Sequence, residues 1–545
     1  MAFSDPAEKV GRVRGQLYPV ELSFPLAGEM SLDSAKSRTI ALWIGGVCGV
    51  PLLCLAVVVP WLQSVVLVAI LFPALVAYSR FRLEGLIIAF LVCQGLVQLL
   101  KRVIFVFGPQ PQAVYLGIQL LPACVLLMLV VVAFRRFCRV RLPRSGRLLA
   151  AFVAVATLAT ALSAWSLPWW VVLSGVHEEV LPFTMFFVGM LVTPRHFARI
   201  GRTMGVLAGL SAVYGLIQLG GGPTLVDRAW ASATFSYSIQ GGKVFAYMAG
   251  ASPDFRVYSY YADPVTWGFS LLAGLVGATL AREQARMSRW SWLILVALVL
   301  AGVFCTQTRT VWAGLLVTVG AFVLFRFRSF RRPWLVFCLS MGSFGVVVVA
   351  GDFLYRELFL AQRLPVFENA LTARYLTVGT IEARTSAWNA LQDAIGATPV
   401  IGQGYGAMLY AVRDAESARL GWKTISHNFL VDLVRNAGVP GALLFVWFYL
   451  QWLREGFAVL HGTLDAKLKR TFLWIIAFSV GSVISGYLNG ANFMTYEFFL
   501  IMGLLTGCAT HPGRAVLRRE AAFFPDGPRV HTAFAAGAVQ GRTAV

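Results

Sequence analysis

The stretch WLILVALVLAGVFCTQTRTVWAGLLVTVGAFVLF, residues 292–325, is two apolar runs separated only by Thr306, Gln307, Thr308, Arg309 and Thr310. Runs of this kind cross the roughly 30 Å hydrocarbon layer as helices, because a helix satisfies its own backbone where no water is available. Similar runs recur at 40–60, 62–79, 85–100, 113–134, 148–165, 177–194, 203–219, 264–281, 290–306, 311–325, 333–350, 429–450, 471–488 and 496–510. The chain therefore reads as an all-α, polytopic integral membrane protein with about 12–14 transmembrane helices and a large outer loop. The run 177–194 is irregular: His177, Glu178 and Glu179 stand at its outer edge and Pro182 interrupts it, as in a tilted or re-entrant piece.

Composition agrees. With 58% hydrophobic and 13% charged residues and a mean hydropathy of +0.72, the 545-residue chain lies far from a soluble globular average. Its net charge of +21 sits in short clusters between spans, such as Arg135 to Arg147 and Arg326 to Arg332, which is the positive-inside pattern of cytoplasmic loops and not a nucleic-acid footprint. The eight cysteines include no C-x-x-C pair and read as small apolar residues. Three regions follow: a cytoplasmic N-terminal segment 1–39 without a signal-peptide pattern, a membrane domain 40–510 holding a large periplasmic loop at 351–428, and a cytoplasmic, disordered tail 511–545. A second long outer connection spans 220–263. No fixed-period repeat is visible, which weighs against a transporter of duplicated halves.

Once orientation accounts for the inner arginines, the informative cations are the outer ones, among them Lys101, Arg102, Arg228, Lys243, Arg256 and Arg309. Arg309 lies in a short turn flanked by threonines, where a guanidinium either binds an anion or snorkels to headgroups. Arg256 opens RVYSYYADPVTWG, a tyrosine-rich segment leading into a span at Pro264; its aromatics suit an interfacial belt or a sugar-stacking face. Residues 382–395 read as an amphipathic helix carrying Arg384, a surface charge or a phosphate contact, and Gly402, Gly404 and Gly406 as a tight turn. His427 opens the next span, with Asn428, Asp432 and Arg435 forming a polar stripe: a helix cap and a structural ion pair, or the lining of a cavity.

In this order the segments resemble the bacterial O-antigen ligase and polymerase superfamily. SHNFLVDLVRNAGVPG is similar to its H-N-x-x-L and following G-x-x-G pattern, RVYSYYADPVTWG to its arginine segment before a proline-initiated span, TQTRT to its Ser/Thr-Arg turn, and RTSAWNALQDAIGATPVIGQGYG to its Arg/Trp helix and Gly-x-Gly turn. The likeness runs from about Arg256 to Gly441; Val265 departs from it, standing where asparagine often follows the proline. It implies a glycosyltransferase of surface polysaccharide assembly in the bacterial inner membrane, with its active site facing the periplasm. The implied partners are an undecaprenyl-diphosphate-linked glycan donor, a glycan or lipid-core acceptor, membrane lipids and other polysaccharide-assembly proteins. No cofactor or metal is implied, and the chain has no D-x-D sequence to bridge a metal to the donor. The assigned roles are His427 as catalytic base and Arg256, Arg309 and Arg384 as diphosphate-binding residues. A polymerase is the first expectation, from the length of the loop 351–428. The alternatives are an O-antigen ligase, a protein O-oligosaccharyltransferase and a non-enzymatic flippase or exporter.

Overall fold

The computed structural model describes residues 82–106, 112–137, 140–165, 172–173, 175–234, 257–261, 263–284, 286–306, 308–333, 335–336, 338, 396, 400–405, 428–463, 465–489 and 494–510. The expected spans 40–60 and 62–79, nearly all of 333–350, and the expected helix 382–395 lie outside them. Among the described residues the protein is all α and has no strand. Its helices are α1 (Leu83–Val106), α2 (Gln112–Phe137), α3 (Arg144–Leu162), α4 (Thr184–Met190), α5 (Phe197–Gly221), α6 (Leu225–Thr234), α7 (Pro264–Glu283), α8 (Arg289–Cys305), α9 (Arg309–Leu324), α10 (Phe429–Gly462), α11 (Ala466–Asn489) and α12 (Tyr496–Thr510).

Six helical stretches among these, Leu83–Val106, Arg144–Trp165, Pro194–Gly221, Pro264–Glu283, Phe429–Gly462 and Ala466–Gly486, are long and apolar enough to cross a membrane, and shorter apolar helices accompany them. Exposed apolar stripes run along the outside at helical spacing, Leu127, Val131 and Phe134 on α2 and Val206, Leu210, Val213 and Ile217 on α5. Such stripes are a liability in water and the ordinary surface in lipid. Inside, Phe152, Phe183, Phe186, Phe445, Phe448 and Phe499 interlock, mostly edge to face, and tie α3, α4, α10 and α12 together. Lipid gives no hydrophobic drive for span association, so close backbone contact matters. Where α5 crosses α7, a Cβ built on Gly277 would stand 2.7 Å from the Gly201 carbonyl oxygen, so only glycine fits.

The irregularity expected near Pro182 is present. A π-helical turn at Val176–Val180 passes into a 3₁₀ turn at Leu181–Phe183 and then into α4. Two expectations need correction. The connection 220–263 is not wholly loop, because α6 forms within it. Thr224 and Asp227 cap its start reciprocally, Asp227 N–H donating to Thr224 Oγ1 (3.2 Å) and Thr224 N–H to Asp227 Oδ2 (3.0 Å). The run 429–450 is the first part of a longer helix, α10, broken at Gly438, whose φ is +70°.

Candidate functional site

The segment after Arg256 is held by a buried polar network. Arg102, from α1, pairs with Asp227 of α6 (2.5 Å) and donates to the carbonyls of Ser259 (2.8 Å) and Tyr261. Its guanidinium also lies over the rings of Trp230 (4.8 Å) and Tyr258 (5.2 Å). Gln218 donates to Asp227 (2.9 Å) and to the Ser259 carbonyl (2.8 Å), and Ser259 Oγ donates to the Ser211 carbonyl (2.7 Å). Residues 257–261 are thus fixed by α1, α5 and α6 together. Arg102, one of the outer cations that orientation does not explain, is engaged with a carboxylate of its own chain. Arg228 donates to the Pro223 carbonyl at 3.1 Å and is exposed.

From this segment the chain enters α7 as the sequence predicts. Asp263 caps it, accepting from Val265 N–H and Thr266 N–H (2.9 Å each), with Pro264 in the first turn, where its missing N–H costs nothing. α8 ends at Cys305 and α9 begins at Arg309, so the turn is Thr306 to Thr308, with Thr308 Oγ1 donating to the Thr306 carbonyl (3.0 Å). Arg309 therefore starts a helix, where the unpaired N–H groups already favour an anion. The starts of α7 and α9 meet: a Cβ on Gly268 would stand 2.3 Å from a Val311 methyl. Two of the resembling segments are brought together by that contact.

The other two meet at the break in α10. Pro440 has no N–H for the Asn436 carbonyl, and the positive φ of Gly438 interrupts the ladder beside it, so the carbonyls of Arg435 and Asn436 are left without their usual helical partners. The glycine turn supplies them, Gln403 N–H donating to Arg435 (2.6 Å) and Gly404 N–H to Asn436 (3.1 Å). Gly402 and Gly404 have φ of +76° and +78°, and a Cβ on Gly402 would stand 2.5 Å from the Gly438 nitrogen. Next in the chain, Tyr405 N–H donates to Thr160 Oγ1 of α3 (3.0 Å). Tyr405 is buried, and burial, reinforced by the charges of Glu179 and Asp432, pushes its phenol well above the usual tyrosine range. Asn428 caps α10, accepting from Leu430 N–H (3.0 Å) and Val431 N–H (3.4 Å), and Asp432 and Arg435 form a loose pair at 3.9 Å. The cap and the pair match the structural reading of that stripe.

His427, Arg256 and Arg384 lie outside the described residues, as does the side chain of Arg309. The structure describes what flanks them: Val257 onward, the start of α9, the turn 402–405 and the Asn428 cap. Reasoning from the sequence missed Arg102 with Asp227 and missed Tyr405.

Residues 294–446 match the family model described as O-Antigen ligase. That region holds Arg309, the glycine turn and the start of α10. Over 211 residues the chain is 25% identical to a "General O-oligosaccharyltransferase" of Acinetobacter baylyi, a match covering 36% of this chain and 36% of the relative, so it spans about a third of that protein's length. With four segments that resemble the family's motifs in order, and the family model laid over three of them, residues 294–446 of this multi-pass membrane protein match the O-antigen ligase family, and the comparisons support a place in the O-antigen ligase-related superfamily.

Proposed function

We propose that the chain transfers a glycan from a polyprenyl-diphosphate carrier, at the outer face of the bacterial cytoplasmic membrane, to an acceptor hydroxyl. The observation that carries this reading is the docking of the Gly402–Tyr405 turn on the broken start of α10, which holds two separate motif segments on one frame beside the Asn428 cap. His427, one residue before that cap, takes the acceptor proton as general base. The acceptor oxygen then bonds to the anomeric carbon, the bond from that carbon to the diphosphate oxygen breaks, and the electron pair leaves on the lipid diphosphate. Arg256 and Arg309, each beside the start of a span and with those spans in contact, bind the developing charge through planar two-point contacts, with Arg384 positioning phosphate or sugar.

The first reading of the acceptor is a second lipid-linked glycan, making the protein a polymerase; the length of the 351–428 connection supports it by offering cover for a growing chain. The description of the matched family, O-Antigen ligase, favours a lipid-core sugar as the second reading. The test of the transfer chemistry is His427→Ala in purified full-length protein given lipid-linked glycan and acceptor. Transfer falls to background while donor binding is retained. Transfer at the wild-type rate would remove the base assignment.

A further inference from the structure

At the far end of α3 from the Tyr405 contact lies a cavity of about 530 Å³ lined by Arg144, Arg147, Leu148, Trp447, Gln451 and Arg454. Arg144 and Thr160 are sixteen residues apart on one helix, or about 24 Å at the ordinary helical rise, so this site is remote from the glycine turn. Its lining comes from two faces. Arg144, Arg147 and Leu148 fall on the first turns of α3 at helical neighbour spacing, and Trp447, Gln451 and Arg454 recur every three or four residues on α10. Glu455 locks the helices together beside it, accepting from Ser145 N–H (3.1 Å), Ser145 Oγ (2.5 Å) and Gln451 Nε2 (3.0 Å). That carboxylate is occupied, and among the described residues no carboxylate pairs with any of the three arginines.

The positive-inside pattern explains why arginines stand at this end, but not why three of them from two helices line one cavity. Trp447 adds a direction. It is 62% exposed and lies two helical turns, about 10 Å, from Arg454 along α10 toward the apolar middle of the helix. A cationic head end followed by an exposed indole is the order of a phospholipid's phosphate and its glycerol and acyl region. We propose that this cavity binds the phosphate headgroup of an anionic phospholipid, with Trp447 lying along its acyl region and the lipid bridging the basic ends of α3 and α10. The site is independent of the glycan-transfer reading.

The test is native mass spectrometry of the full chain with cardiolipin or phosphatidylethanolamine added at equal concentration. Cardiolipin is retained by the wild type in preference to the zwitterionic lipid, and its retention drops about tenfold in Arg144→Gln/Arg147→Gln/Arg454→Gln. The thermal midpoint of that variant in zwitterionic micelles shows whether it folds. Should it not, Arg454→Gln alone, an exposed side chain, is the variant to read, and a several-fold drop is expected. Trp447→Ala weakens cardiolipin retention with all three arginines in place. Equal retention by the wild type and a folded arginine variant overturns the site. Displacement of cardiolipin by excess inorganic phosphate, with no effect of Trp447→Ala, overturns the lipid assignment in favour of a soluble phosphate.

Discussion

At the scale of single residues, the chemistry turns on what a guanidinium does that an ammonium cannot. Arg309 stands at the start of α9, where the orphan N–H groups of the first turn favour an anion, and the proposed function assigns its planar guanidinium to the donor diphosphate. Arg309→Lys keeps the charge but loses the two-point contact, so transfer falls by at least about tenfold at fixed donor. Initial rates against donor concentration check this, and near-normal turnover and donor affinity would return Arg309 to a headgroup-facing role. Tyr405 makes a different case. Its hydroxyl is buried with no hydrogen-bond partner among the described residues. An unsatisfied buried hydroxyl costs about 1–3 kcal/mol, so Tyr405→Phe leaves the thermal midpoint unchanged or raised, while Tyr405→Ala, which empties the packed site, destabilises by about 3–5 kcal/mol. A clear fall in midpoint for the phenylalanine variant would mean that the hydroxyl is bonded by a group from 406–427.

At the scale of elements, the frame of the site depends on contacts that no local pattern reveals. Arg102 and Asp227 are 125 residues apart in sequence, and their pair, together with the Ser259 and Tyr261 carbonyls, fixes the segment following Arg256. Arg102→Met leaves Asp227 buried without its charge partner and is expected to destabilise by about 3–5 kcal/mol. The double variant Arg102→Met/Asp227→Asn recovers much of that stability but not the transfer activity, because the Tyr261 carbonyl loses the Arg102 donor and the Ser259 carbonyl is left with Gln218 alone. Thermal melting and transfer assays on the two variants separate these effects; recovery of full activity by the double variant would show that the network serves stability alone. The helix starts were legible from sequence: Pro264 opening a span and Asn428 capping the next are local signals, and both form, with Asp263 found as the cap of the first. The capping box Thr224-Leu225-Val226-Asp227 was equally local but was overlooked inside a long polar connection. The glycine turn was legible as a turn. Its partner was not, because the carbonyls it satisfies are released by Gly438 and Pro440 inside a run that reads from sequence as one unbroken span.

At the scale of the whole molecule, apolar runs and arginine alternation made the multi-pass helical architecture plain, since a membrane admits few ways to satisfy a backbone. They carry no information about the acceptor. Polymerase, ligase and protein oligosaccharyltransferase share the same demand for a held diphosphate and a base, so the motif residues do not divide them. The polymerase reading assigns the acceptor to the connection 351–428, since a polymerase has to accommodate the product of its own last turnover. If the protein is a polymerase, purified full-length chain given lipid-linked repeats alone releases lipid diphosphate in step with chain lengthening. Loss of the protein from cells then leaves single repeats on the carrier or capped onto acceptors. A ligase does neither until a lipid-core sugar is added, and a protein-directed enzyme waits for a serine- or threonine-bearing acceptor. Absence of elongation with repeats alone, followed by rapid transfer onto one of those added acceptors, would sink the polymerase reading and name its replacement in the same assay.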